Sequence, residues 1–244
     1  MRPDLPSDAK RAINRRTLLR TAGGGVLVSL LAGCQDEGPI QFRPYESAAT
    51  RRAREAKLPD GRPRLPPGQY VREDLKDMGG EAGPGDYSSY RLRVYGEVEQ
   101  PLEFSYAELL KPPETDQTCD VHCVTRWSML DSQWQGVRLA DLAEKVKVRS
   151  TARHVIFEAA HGYTSNVPLE EALRPNVLVA HHFGGDPLAH EHGGPVRALV
   201  PELYFWKSAK WLTAVRFSAH DEPGFWENRG YNNHGNPWRE ERYG

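Results

Sequence analysis

Leu139-Ala140-Asp141-Leu142-Ala143-Glu144-Lys145-Val146, followed closely by His154-Val155-Ile156-Phe157-Glu158-Ala159, decides the fold class of this chain. The first segment places its apolar residues at helical spacing and predicts a short amphipathic helix; the second is a compact apolar run and predicts a buried strand. Thr164-Ser165-Asn166-Val167-Pro168-Leu169 then leads into a helix at Leu169–Leu173. On the N-terminal side, Tyr90-Arg91-Leu92-Arg93-Val94-Tyr95-Gly96 alternates as a strand does, with Leu92 and Val94 on one face. Phe104 opens another short strand. Ser105 is a helix N-cap for Tyr106-Ala107-Glu108-Leu109-Leu110, which Pro112-Pro113 ends. On the C-terminal side, Asn176–Ala180, Val196–Val200 and Trp211–Phe217 predict further strands. Short strands separated by short helices indicate α+β rather than a doubly wound sheet with regular crossover helices. No internal repeat is visible, and the glycines lack the spacing of a P-loop or a dinucleotide fingerprint.

The 244 residues suffice for one generous domain or two small ones; 39% are hydrophobic and 27% charged, the balance of a globular chain. The net charge of -1 gives no general reason to expect nucleic acid as a partner. Charge is unevenly placed. Residues 1–33 hold six of the 32 basic groups and two of the 33 acidic ones, so the remainder carries 26 against 31, a net of -5. That basic segment reads as a leader. Asn14-Arg15-Arg16-Thr17-Leu18-Leu19-Arg20 resembles the twin-arginine export motif, and the apolar stretch from Thr21 to Ala32 is shorter than the roughly 20 residues that span a bilayer. It closes on Leu31-Ala32-Gly33-Cys34, which resembles a bacterial lipobox with Cys34 as the lipidated residue. The alternative is an anchor helix with an incidental cysteine. Several acyl chains would anchor stably, each buried methylene contributing about 0.8 kcal/mol. Twin-arginine export also implies folding in the cytoplasm first, as cofactor-loaded redox proteins require. From Gln35 to about residue 60 the chain reads as a tether. Gly61-Arg62-Pro63-Arg64-Leu65-Pro66-Pro67-Gly68-Gln69 is stiffer and basic, and is either more linker or a strap across a pocket.

The chemistry concentrates around Thr118-Cys119-Asp120-Val121-His122-Cys123-Val124-Thr125-Arg126-Trp127-Ser128. With Cys34 assigned to the leader, two cysteines remain. A local Cys119–Cys123 disulfide fits an oxidising compartment. Zinc held by Cys119, His122 and Cys123 is another option, although no second ligand pair has zinc-finger spacing. The third option keeps Cys123 as a free thiolate on a redox metal, with Cys119 a bystander. His192-Gly193-Gly194-Pro195-Val196-Arg197 and Trp206-Lys207-Ser208-Ala209-Lys210-Trp211 add basic groups among glycines that permit close backbone approach. Aromatic–basic interleaving of this kind also binds single-stranded nucleic acid, but an acidic exported protein suits a bound phosphate better. A soft thiolate beside an anion pocket points to a molybdenum–pterin enzyme.

His122-Cys123-Val124-Thr125-Arg126-Trp127-Ser128, Gly162-Tyr163-Thr164-Ser165-Asn166-Val167-Pro168-Leu169 and the two basic motifs resemble the sulfite-oxidase-type molybdopterin oxidoreductases. The similarity is closest to their short bacterial branch. It extends through Arg62–Gln69 and Gly224-Phe225-Trp226-Glu227-Asn228-Arg229-Gly230-Tyr231-Asn232-Asn233-His234, covering roughly residues 61–244. The resemblance implies that family's α+β fold, with mixed, mostly antiparallel sheets and short helices. It implies one molybdopterin without a nucleotide and a molybdenum–thiolate bond from Cys123. Cofactor contacts are implied at His192, Arg197 and Lys210, with backbone from Ser208 and Ala209. Tyr163 falls where the family carries an active-site tyrosine able to donate to a metal oxygen or to substrate, and Arg126 is the arginine assigned near the metal.

No haem-binding domain accompanies these motifs, and the tail after Trp211 is too short for the family's immunoglobulin-like dimerisation domain. A monomer handing electrons to a separate cytochrome or quinone-linked carrier is therefore expected. The resulting expectation is a lipid-anchored enzyme on the periplasmic or extracytoplasmic face, oxidising sulfite or a similar sulfur centre. The alternatives are methionine sulfoxide reduction and a non-catalytic lipoprotein scaffold; intact Cys123, Arg197 and Lys210 speak against the scaffold.

Overall fold

The computed structural model describes residues 46–111 and 113–244; Cys34 and the leader lie outside the described residues. Within the stretch read as tether, Ala48–Glu55 form helix α1. Ser47 caps it by accepting the Thr50 amide at 3.1 Å. Its Thr50 hydroxyl accepts the Val71 amide at 2.9 Å, tying the helix to strand β1 (Tyr70–Arg72). The folded region thus begins before the expected boundary at residue 61. Arginines had masked an otherwise small buried face of Thr50 and Ala53.

The remaining strands are β2 (Arg91–Gly96), β3 (Leu102–Ser105), β4 (Thr115–His122), β5 (Trp127–Arg138), β6 (His154–Ala159), β7 (Thr164–Pro168), β8 (Leu178–Phe183), β9 (Asp186–Pro187), β10 (Arg197–Leu199) and β11 (Leu212–Ser218). The helices are α2 (Tyr106–Leu109), α3 (Leu139–Val146) and α4 (Leu169–Ala172). Ser105 and Glu108 cap α2 reciprocally in a capping box.

One sheet runs β3-β2-β11-β6-β7. The other runs β1-β5-β8-β10, with β4 added to β5 and β9 to β8. β1 pairs β5 and β2 pairs β11 in parallel, and the other pairs are antiparallel. The α+β expectation is met, as is the alternation in β2, where Leu92 and Val94 are fully buried. Between the sheets, Leu92, Val94, Val155, Phe157, Val215 and Phe217 pack with Val137, Val179 and Ala198, and α3 adds Leu142 and Val146. Each such leucine contributes about 1.5–3 kcal/mol.

The β4-containing sheet is buried on its second face as well. There Leu178, Ala180 and Leu199, the alternating partners of Val179 and Ala198, join Val121, Cys123, Trp127, Trp134 and Phe205. A sheet buried on both faces offers one layer for structure and another for a site. At Gly136 the β5 and β8 backbones approach so closely that an added Cβ would lie 2.4 Å from the Val179 oxygen. No helix among the described residues is long and apolar enough to cross a membrane.

Candidate functional site

Cys123 follows β4 and opens the turn that leads into β5. Its amide donates to the Trp127 carbonyl at 2.8 Å, and the Arg126 amide donates back to the Cys123 carbonyl at 3.0 Å. Arg126 takes φ 77° at the end of this turn, a left-handed conformation that costs a side-chain-bearing residue about 1–2 kcal/mol. Its guanidinium is exposed and has no hydrogen-bond or ion-pair partner among the described residues. Cys123 is buried, with Sγ 3.2 Å from the Thr125 hydroxyl. Burial raises its thiol pKa, while Thr125, Lys76 and Arg242 pull it down.

Both cysteines are free, so the expected alternative of a Cys119–Cys123 disulfide is not realised. The β4–β5 register shifts between Cys119 and Val121, and Cys119 packs at the edge of the apolar cluster that holds Cys123. Cys119 meets the Ser132 hydroxyl and lines a cavity of about 380 Å³ with His122, Arg64, Glu202 and Trp238. Burial pushes its pKa to about 11. His122 bonds Ser128 through Nδ1 at 2.8 Å and packs edge-on against Trp238. No three His, Cys, Asp or Glu side chains among the described residues converge as metal ligands, which removes the zinc alternative.

The two basic motifs run side by side. Ala198 N–H donates to the Ala209 carbonyl, Leu212 N–H to Val196, and Trp211 N–H to Gly193. This pairing brings His192, Arg197, Ser208, Ala209 and Lys210 together. Gly193 is required at the contact, since φ is 104° and a Cβ would fall 2.8 Å from the Lys210 Cβ. Arg197 is 2% exposed and donates to the carbonyls of His192 (2.8 Å), Ser208 (2.8 Å) and Ala198 (3.3 Å). It lies 4.2 Å from the Phe205 ring centre. Desolvation lowers its pKa to about 9, and no carboxylate among the described residues pairs with it.

Ser208 is committed internally: its hydroxyl accepts from Val200 N–H and its amide donates to the Phe205 carbonyl. The Ala209 and Lys210 amides, by contrast, find no acceptor among the described residues. Lys210 Nζ donates to the Glu191 and Gly79 carbonyls and pairs with Asp77 at 3.2 Å. Asp77 also feels the His192 charge. It is a half-exposed carboxylate at the lysine where the sequence motifs predict a phosphate contact. Buried Arg197, adjacent free amides and a lysine that attracts a carboxylate together fit an anionic cofactor.

Tyr163 immediately precedes β7. Its hydroxyl donates to the Trp206 carbonyl at 2.6 Å, so its proton is already engaged and its oxygen remains an acceptor. Burial drives its pKa far up.

Sequence reasoning did not foresee the partners of three groups here. Gln69 donates to the Cys123 carbonyl at 3.0 Å; in the sequence it is only the end of the basic strap. Arg242 donates to the Val124 carbonyl, and nothing in a charged tail marked it. Lys207, fully buried, joins Glu227 and the carbonyls of Asn166 and Asn233. The strap at 61–69 lies on the site rather than serving as linker: Arg64 pairs with Asp120, and Arg62 stacks on Trp238.

The oxidoreductase molybdopterin-binding domain profile matches residues 81–226. The chain belongs to the molybdopterin-binding oxidoreductases. It is 42% identical over 182 residues to the uncharacterised oxidoreductase YuiH of Bacillus subtilis, covering 74% of this chain and 92% of the relative. It is 29% identical to the protein-methionine-sulfoxide reductase catalytic subunit MsrP of Burkholderia mallei (66% of this chain, 54% of the relative). It is also 29% identical to mitochondrial sulfite oxidase of Rattus norvegicus (60% and 32%). The chain thus spans about half of the reductase and a third of the oxidase. The sulfane dehydrogenase SoxCD of Paracoccus pantotrophus shares the fold, with a TM-score of 0.52 at 24% identity over 57% of this chain and 40% of that one. The cofactor of this oxidoreductase family is molybdenum–molybdopterin.

Proposed function

We propose that this molybdopterin oxidoreductase transfers an oxygen atom at sulfur, of the sulfite-oxidising type, and passes its electrons to a separate cytochrome or quinone-linked carrier. The observation that carries the reading is Arg197, a buried guanidinium with no carboxylate partner among the described residues, set beside the free Ala209 and Lys210 amides. A buried cation without a counter-ion is costly and is repaid when an anion binds. In this assignment Cys123 supplies the metal thiolate. His192, Arg197, Lys210 and the backbone of Ser208 and Ala209 hold one pterin without a nucleotide. The bound molybdenum supplies two-electron redox chemistry at oxygen. Exposed Arg126 at the Cys123 turn steers an anionic substrate, and Tyr163 orients that substrate through its hydroxyl, which here rests on the Trp206 carbonyl.

Sulfoxide reduction is the second reading. Exposed Tyr70 and Met78 adjoin the Cys123 turn, the first through Tyr70 N–H to the Arg126 carbonyl and the second through its sulfur at Trp127 Nε1. Such apolar side chains suit a thioether-bearing substrate.

The leader motif at residues 14–34 supports twin-arginine export and lipidation at Cys34, which would hold the enzyme at the periplasmic or extracytoplasmic face. The deciding experiment is the molybdenum and pterin content of chain expressed in a host that makes the cofactor, followed by sulfite and sulfoxide assays. Equimolar metal and pterin with turnover of either substrate is expected; folded protein devoid of both would refute the assignment.

A further inference from the structure

The turn from Cys123 to Arg126 is gripped by two segments that both lie outside the matched family domain at 81–226. From the N-terminal side, Gln69 Nε2 donates to the Cys123 carbonyl at 3.0 Å and Tyr70 N–H donates to the Arg126 carbonyl at 2.8 Å. From the C-terminal tail, Arg242 Nη1 donates to the Val124 carbonyl, while its Nη2 reaches the Pro67 carbonyl at 3.3 Å. Arg242 thereby joins the tail to the strap over the turn. Arg242 is 8% exposed, and its guanidinium lies 5.0 Å from the Tyr204 ring centre.

Gln69 itself is locked in orientation. It is 1% exposed, and its Oε1 accepts from the Ser128 hydroxyl at 3.3 Å. Ser128 in turn meets His122 Nδ1 at 2.8 Å. The amide of Gln69 therefore presents its N–H side to the Cys123 carbonyl and its oxygen to Ser128. A turn with a left-handed arginine at its end is not self-supporting, because the conformation is disfavoured and must be over-determined by its surroundings.

We propose that Gln69 and Arg242 are positioning residues that clamp the Cys123 turn from opposite ends of the chain and fix the direction of its sulfur. The family domain alone supplies the cysteine; the strap and the tail set its geometry. The inference rests on the assignment of Cys123 as the metal ligand.

The test uses the full chain, purified with and without cofactor, as Gln69→Met and Arg242→Met. Both changes keep much of the side-chain volume and remove the donors. One net hydrogen bond corresponds to about a two- to twelvefold change in local opening. Amide hydrogen exchange in the peptide spanning Cys123 and Arg126 should accelerate by that factor in each variant, with β11 exchanging at its wild-type rate. In loaded protein both variants should shift the Mo(V) paramagnetic resonance g-values, and Arg242→Lys should restore part of the wild-type signal. Unchanged exchange in the turn, or equal acceleration in the turn and β11, would overturn the clamp. An identical Mo(V) signal in both variants would overturn it as well. A Cys123→Ser protein with an unaltered Mo(V) signal would instead remove the ligand assignment, while leaving the exchange result to stand by itself.

Discussion

Replacing Lys207 by Met should be among the most damaging single changes outside the apolar core. Lys207 is fully buried, and its ammonium meets the Asn166 carbonyl at 2.9 Å, the Asn166 side-chain oxygen at 2.8 Å, the Asn233 carbonyl at 2.7 Å and the Glu227 carboxylate. The Glu227 side chain is itself 2% exposed and also accepts from Trp206 Nε1 at 2.9 Å. Desolvation pulls the Lys207 pKa down, opposed by the Glu227 charge. Met would leave that carboxylate buried without its cation, a loss of about 3–5 kcal/mol. At about 2–4 °C per kcal/mol for a domain of this size, Tm should fall by roughly 6–20 °C. The assay is thermal unfolding of the cofactor-free chain followed by circular dichroism. The double variant Lys207→Met/Glu227→Gln removes the orphaned charge and should recover part of the loss. A fall below about 3 °C for the single variant, or a double variant with the full sum of the two single losses, would refute the reasoning. Either result would mean that the pair is hydrated or replaceable.

Arg197→Ala should weaken cofactor retention by about 10- to 100-fold, the range of one charge-assisted hydrogen bond, read as pterin per protein after dialysis. Cys123→Ser should abolish turnover and change the metal's electronic spectrum, whereas Cys119→Ser, in a cavity that Cys123 does not line, should leave molybdenum content and turnover unchanged. His234 lies between Glu171 and Glu241, and the Glu171 hydrogen bond leads the causes that raise its pKa. Its contribution is therefore complete below its unfolded pKa of about 6.5 and is lost as pH rises through the higher folded value. Glu171 acts with the opposite sign: its pKa is lowered, so its share is lost as pH falls below about 4.5. Tm should thus decline above neutrality in wild type and do so less in His234→Gln. Gly136→Ala should yield mostly insoluble protein, because the new methyl would collide with the Val179 backbone; soluble expression at wild-type level would contradict the close approach.

The sequence by itself determined much of the scaffold. Helix α3 occupies the residues its apolar spacing predicts, β6 does the same, and Ser105 caps α2 as its type and position suggest. These elements were legible because one face of each meets the core, so burial leaves a periodic trace in the residues. The cysteine motif and the two basic motifs were legible for a different reason: thiolate, glycine and arginine in close order carry chemistry whatever the backbone does. The β4–β5 hairpin that presents Cys123 was not legible. Thr115–His122 is largely polar, and its sheet is covered on both faces by groups from distant parts of the chain. Helix α1 was hidden likewise, since only Thr50 and Ala53 are buried in it.

Only the tertiary structure decided how the site is held. It brought Gln69 and Arg242 to the same turn across 173 positions of sequence, turned the Tyr163 proton toward Trp206, and enclosed Lys207 with Glu227. Local sequence records which face of an element is apolar, because that requirement repeats along the element. A hydrogen bond between remote segments is made once, by one donor and one acceptor, and leaves no period to read.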